Sequence, residues 1–348
     1  MENTKYKIIS SKEIAEKSLK EIEVEIPENV IANFRKKALN KIKESVELPG
    51  FRKGKAPEDM IVSRVGETAI LDESIEIFVR EHMAEIIEKE ANDAISMPSI
   101  SIKKAVPGNP VSILISAPLK PKIKLPDYKK IAKETNTQKQ EKIEIGTKET
   151  EDALLRVRQY IASAEGKHGD ELKDEKNLPE LNDETVKKIG PFKNLKEFKE
   201  KVEKDILEDK TIRAKEKQRI AIMEKIIKET EGAIPDVLVD YEIERMKDEF
   251  RVDIERMGLK MENYLKDAKK TEEDLKKEWR EPAIKRIKSE IILREIAIIE
   301  KIEADKEQAE KEKEHMLEHY KDADPKRVED YINDVLRKEK VFSFLEEQ

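Results

Sequence analysis

Between Asn194 and Glu231 the chain contains neither proline nor glycine, and Leu195, Phe198, Val202, Ile206, Ile220, Met223 and Ile227 recur at helical spacing. With Asn194 as cap, an unbroken helix of this length extends roughly 55 Å at 1.5 Å per residue. That is an arm, too long for a compact bundle, and it commits the second half of the chain to an elongated helical architecture. The segments after it agree. Pro235 starts a helix that reaches Met257, with Gly258 as its stop, and a further helix covers about Thr271 to Ile302, bent or divided at Pro282. Asp305 to Tyr320 and Pro325 to the C-terminus complete the series, Asp324 capping the last. Charged residues make up 43% of the chain and aromatics 5%, the composition of solvated helices with narrow apolar seams.

The N-terminal third reads differently. Ile22-Glu23-Val24-Glu25-Ile26 alternates like a strand with one buried face, and Pro27 ends it. From Glu28 a helix carries Ile31, Phe34, Ala38, Leu39 and Ile42 on one stripe and Arg35, Lys36, Lys37, Lys41 and Lys43 on the other faces. Pro57 opens a short helix that Gly66 closes, and a longer one runs from about Thr68 to Glu90. Two strands follow, Ile95 to Lys103 and Val111 to Leu119, turned at Val106-Pro107-Gly108-Asn109-Pro110. The expectation is an α+β domain over residues 1–118 with its sheet covered on one face, then an extended connector over 119–149, hinting at a strand near Ile143 and Ile145. A helical domain then spans 150–348, opening with a helix from Thr150 to Ala164.

Several chemistries lack their machinery. There is no cysteine, hence no disulfide, thiolate metal site or cysteine nucleophile. No GxxxxGK[ST], GxGxxG or GxSxG is present, and the one helical histidine pair, His315 and His319, has no HExxH context. Neither an enzyme, a cofactor nor a metal is expected. A net charge of −7 disfavours general attraction to nucleic acid or anionic lipid, so any polyanion contact must be local. No stretch approaches the roughly 18 apolar residues of a membrane span, and Met1 to Lys20 lacks the apolar run of a leader, so the expected location is the cytoplasm.

One local exception to the acidity is "LPGFRKGKAP", residues 48–57. As an ordinary turn it would tuck Phe51 into the core. Gly50 and Gly54, however, frame Phe51-Arg52-Lys53 so that the triplet can project, and Lys55 and the basic helix face lie beside it. An aromatic anchor with an adjoining arginine has the composition of a binding hot spot, and lysines favour a polyanionic neighbour. Such a loop suits a mixed protein and RNA surface.

Gly50-Phe51-Arg52-Lys53-Gly54-Lys55-Ala56-Pro57, placed between two helices of an α+β domain, resembles the ribosome-binding signature of the trigger factor family of bacterial chaperones. "NLPELNDETVKKIG", residues 177–190, is similar to the family's entry into its helical domain. The resemblance implies docking through Phe51, Arg52 and Lys53, with Gly50, Gly54, Lys55 and Pro57 shaping or flanking the loop. The partner implied is the large ribosomal subunit at the tunnel exit, protein and adjacent RNA. It also implies an isomerase domain, which needs on the order of 100 residues. Only a short polar segment between about 165 and 178 stands at its expected place. The expected protein is therefore a trigger-factor-like chaperone without that domain, which holds nascent or unfolded chains in a helical cradle and can dimerise when free.

Client contact requires apolar patches on a charged surface and no nucleotide. Met246, Phe250, Met257, Leu259, Met261 and Tyr264 are candidates, although any one of them reads more readily as helix–helix core, and so are Phe342 and Phe344 with Val341 and Leu345, which could equally pack the last helix onto the arm. The rival reading is an extended helical scaffold that binds one folded partner. It accounts for the helices and leaves the basic loop without a purpose.

Overall fold

The structure, a computed structural model, describes residues 5–49, 51–52, 54–137 and 144–348. Gly50, Lys53 and Ile143 lie outside the described residues. Along the chain run β1 (Lys7–Ile14), β2 (Leu19–Ile26), α1 (Glu28–Ser45), α2 (Glu58–Val65), α3 (Glu67–Glu90), β3 (Ser99–Lys104) and β4 (Val111–Pro118). Then come α4 (Tyr128–Asn136), α5 (Thr147–Ala164), α6 (Asp183–Ile189), α7 (Leu195–Glu229), α8 (Asp236–Arg256), α9 (Met261–Ala268), α10 (Glu272–Ile299), α11 (Lys306–His319) and α12 (Pro325–Glu346). These elements form two compact units, one from Met1–Leu125 and Thr230–Arg294, the other from Pro126–Glu229 and Glu295–Gln348.

In the first unit the strands lie in the order β1-β2-β4-β3, all neighbours antiparallel. Ile22, Val24 and Ile26 of β2 and Val111, Ile113, Ile115 and Ala117 of β4 are fully buried. Period-two alternation turns them all to one face, where Phe34 of α1 and Leu71, Ile75 and Phe78 of α3 cover them. Phe34 and Phe78 meet edge to face at 5.4 Å. The α1 stripe read from the sequence is the buried set, Ile31, Phe34, Ala38, Leu39 and Ile42. β1 escaped that reading because "KIISSKEI" is an edge strand with no fully buried residue.

The chain returns to this unit after α7. Lys124 and Glu231 exchange main-chain hydrogen bonds of 2.9 and 3.2 Å, and the Ser18 hydroxyl donates to the Ala233 carbonyl at 2.8 Å. Between them Gly232 sits at φ +124°, where a β-carbon would lie 2.5 Å from the Lys122 carbonyl oxygen. Only glycine fits that approach. Beyond it, Val239 and Ile243 of α8 bury against Ala283 and Ile287 of α10, with Trp279 packed alongside. This packing lies on both sides of Pro282, and α10 continues through the proline without the boundary that the residue alone suggested.

In the second unit α7 is one helix of 35 residues, with the Asn194 carboxamide accepting from Glu197 N–H. α5 packs along its N-terminal part, beside Leu195, Lys199 and Lys210, and α4 and α12 on its C-terminal part, where Ile222, Met223 and Ile226 are buried; Ile220, assigned to the stripe from sequence, is 60% exposed. α4 replaces extended chain within 119–149: Asp127 caps it, and Tyr128, Ile131, Ala132 and Thr135 are buried. After α5 the short polar stretch forms two 3₁₀ turns, Gly169–Leu172 and Glu175–Asn177. Arg158 of α5 donates to the carbonyls of Pro179, Glu175 and Leu178 at 2.9, 2.8 and 3.2 Å.

Gly232→Ala should cost at least about 1 kcal/mol, read as a lower urea midpoint, because neither its φ nor the Lys122 carbonyl admits a side chain. His82, buried beside Tyr6, Phe34 and Phe78, has its imidazole pulled below the ordinary value, by burial first and then by Lys5 and Lys37, against Glu85 and Glu81. The native state thus binds fewer protons than the unfolded one, so stability is complete above the ordinary histidine value, about 6.5, and declines as pH falls below it. Urea midpoints at pH 7.5 and 5.5 should drop more on acidification for the wild type than for His82→Leu.

Candidate functional site

The basic loop begins where α1 ends. Ser45 Oγ donates to the Ile42 carbonyl at 3.0 Å, and Val46 turns to an extended conformation. Val46 and Leu48 then pack on a small core of Ala38, Leu39, Ile42, Ala56, Ile61 and Ile70. Ala56 anchors the far end, 5% exposed, directly before Pro57 and α2. Three main-chain bonds brace the interior: Phe51 N–H to the Leu48 carbonyl (3.1 Å), Gly54 N–H to the Lys43 carbonyl (3.1 Å) and Lys55 N–H to the Arg52 carbonyl (2.9 Å). Gly54 is at φ +79°, which favours glycine. The loop is therefore a shaped projection held at both ends.

What it presents is apolar and cationic. Phe51 is 39% exposed and not tucked into the core, and Arg52, Lys55 and Pro57 are exposed. Neither Arg52 nor Lys55 has an ion-pair partner among the described residues, so their charges face solvent. The basic face of α1 behaves differently from the sequence expectation. Arg35 bonds Glu58 of α2 at 2.9 Å and Glu67 of α3 at 2.8 Å, Lys37 bonds Glu81 at 2.6 Å, and Lys41 bonds Glu73. These carboxylates hold the Arg35 guanidinium above its ordinary value. The free positive charge of the region is thus confined to fewer groups than the sequence suggested. Sequence reasoning missed the anchoring role of Ala56, which has no signal beyond its place before a proline.

The apolar candidates divide by exposure. Met257 and Leu259, after α8, are 70% and 47% exposed. Phe250, by contrast, meets Tyr264 at 5.2 Å and Trp279 at 5.5 Å edge to face, which ties α8, α9 and α10 together. Met246 packs against the α8–α10 core, and Met261 is half-buried. On α12, Val341 and Leu345 are fully buried. Phe342 and Phe344 are half-buried, the first under the Arg219 guanidinium at 5.1 Å, the second under the Lys129 ammonium at 5.5 Å. Arg219 also bonds Glu339 and Glu346, which hold its guanidinium above the ordinary value. His315 and His319 meet edge to face at 4.8 Å, and no group of three metal-ligating side chains occurs among the described residues. No helix among those residues is long and apolar enough to cross a membrane.

The family model described as bacterial trigger factor protein matches residues 8–156, and that for the trigger factor C-terminus matches 194–348; no isomerase-domain model matches. The chain is 24% identical to a trigger factor of Staphylococcus carnosus, covering 93% of this chain and 92% of the relative. That alignment runs over 406 positions, more than the 348 residues here, so the relative carries residues that face none in this chain. A trigger factor of Caldicellulosiruptor saccharolyticus is 26% identical over 87% of this chain and 86% of the relative. A solved structure described as concerning promiscuous substrate recognition in folding and assembly activities of the trigger factor chaperone shares the fold. Its TM-score is 0.52 at 17% identity, covering 98% of this chain and 100% of that one.

The loop geometry yields a stability contrast. Phe51→Ala should change the unfolding free energy by less than about 0.5 kcal/mol, as for an exposed side chain. Ile61→Ala, in the core beneath the loop, should cost about 2–5 kcal/mol, both measured by urea denaturation.

Proposed function

The chain belongs to the bacterial trigger factor family, and on that premise we propose that it is an ATP-independent chaperone that docks on the ribosome and shelters unfolded polypeptide. The observation that carries the docking role is the exposed Phe51 on a loop anchored at both ends, with Arg52 and Lys55 unpaired beside it. Phe51 supplies area to be buried, and Arg52 and Lys53 supply charge-assisted contacts to carboxylate or phosphate at the tunnel exit. Gly54 and Pro57 shape the loop, and Gly50 completes the motif. The family is cytoplasmic, and we assign this chain there.

Client holding needs dispersed apolar surface and no chemistry. Met257 and Leu259 are the candidates that the fold leaves most open, and the partly covered Phe250, Met261 and Tyr264 border them in sequence. Phe342 and Phe344 have packing partners and make the weaker case. Residues 165–178 take the place of the family's isomerase domain, dividing the chain into a ribosome-binding domain over 1–118, a connector over 119–149 and a helical domain over 150–348. The protein is accordingly no peptidyl-prolyl isomerase.

Cosedimentation with vacant bacterial ribosomes tests docking. The wild type should pellet with ribosomes, and a variant with alanine at Phe51, Arg52 and Lys53 should stay in the supernatant with an unchanged thermal midpoint. Failure of the wild type to bind where another trigger factor does would sink the proposal. A proline-limited refolding reaction should run at the same rate with and without the protein.

A further inference from the structure

The outer strand of the first unit's sheet leaves apolar surface open. Among the described residues β3 pairs only with β4, so one row of its main-chain N–H and C=O groups has no strand beside it. All six of its residues are exposed, whereas half of the opposite edge strand, β1, is half-buried. Ile100 and Ile102 stand opposite Ile115 and Ile113, which are fully buried. They therefore lie on the helix-covered face, yet remain 40% and 47% exposed because α1 and α3 cover the inner strands only. Met97 and Val106, at either end, are exposed as well. Past Val106, Pro107 and Gly108 join Ile31, Ala32 and Leu71 around a cavity of about 430 Å³ whose rim also carries the paired Arg35 and Glu67 and Glu28. The strand finishes on Lys103 and Lys104, both exposed and without an ion-pair partner among the described residues.

We propose that β3 is a docking edge for an extended polypeptide segment with alternating aliphatic and polar side chains and carboxylates toward the hairpin end. The inference rests on the reading of this protein as a holder of unfolded chain. An added strand satisfies the open main-chain row in a way that tolerates many sequences, which suits a chaperone. Every second side chain of the segment covers Ile100 and Ile102, and its carboxylates answer Lys103 and Lys104. A second copy of this chain paired through the same edge fits worse, because it brings two more lysines and no carboxylate. Lysines on an edge strand are a general device against such self-pairing.

The test uses the full chain, fluorescence anisotropy and two labelled ten-residue peptides of alternating Val and Thr, one ending in two Glu and the other in two Lys. The wild type should bind the Glu peptide about tenfold tighter than the Lys peptide, a difference of about 1.4 kcal/mol. Lys103→Glu with Lys104→Glu should reverse that order. Ile100→Ser with Ile102→Ser should weaken both peptides about tenfold. Unchanged affinity in the isoleucine variant, while the wild type still suppresses client aggregation, overturns the docking edge and leaves the chaperone reading intact. A wild type that neither suppresses aggregation nor binds either peptide removes both. A wild-type dimer that the isoleucine variant loses assigns the edge to a second copy and overturns the proposal.

Discussion

The projection of the basic loop depends on the packing of α1 and α3 onto one face of the β2–β4 pair. Ile22, Val24, Ile26, Ile113 and Ile115 have no exposure, and Phe34 and Phe78 lock the two helices over them edge to face. Burial of aliphatic and aromatic side chains contributes about 25 cal/mol per Å² of apolar surface, far more than the exposed ion pairs that flank α1. Because α1 is fixed, so is its last turn, and Gly54 can bond the Lys43 carbonyl there. Because α3 is fixed, Ile70 completes the pocket that takes Ala56. The loop is thus rigid at its roots, and Phe51 can stay in water without destabilising what lies beneath it.

Legibility in the sequence followed how much of an element's surface is buried. The stripe from Ile31 to Ile42 and the alternation from Ile22 to Ile26 were plain because burial there is near complete and the spacing regular. β1 was illegible because an edge strand buries too little to impose a pattern. α4 was hidden by the prolines and lysines before it, and its buried stripe ends in Thr135, whose hydroxyl turns back to the Ile131 carbonyl. In the site, the glycines flanking Phe51-Arg52-Lys53 were visible in the sequence as framing residues. The pairing of Arg35 with Glu58 and Glu67 was not, since those partners come from 23 and 32 residues away. Charge in a chain of this composition becomes informative only once three-dimensional neighbours cancel most of it.

That cancellation also bears on selectivity. Arg35, Lys37 and Lys41 are matched by carboxylates of α2 and α3, which thins the positive charge of α1 to Lys36 and Lys43 beside the loop's own cations. A short cationic tip around an exposed ring on an acidic molecule discriminates better than a broad basic face. The broad face would attract any polyanion at a distance, whereas the tip requires a partner that also accommodates the ring.

The region between α5 and α6 is a braced connection. A slack one would leave its main-chain carbonyls to solvent. Here the planar Arg158 side chain gathers three of them, Gln159 donates to the Leu172 carbonyl at 3.1 Å, and Lys167 donates to the Asn177 carbonyl. A guanidinium with five donors in a fixed plane suits that task better than an ammonium would. The clamp holds residues 175–179 against α5 and so sets where α6 begins, with Asn182 capping it and Asp183 accepting from Leu195 N–H at the start of α7. Orientation of the long helix therefore starts from this compact staple, a mechanical role that a flexible link of the same length could not fill.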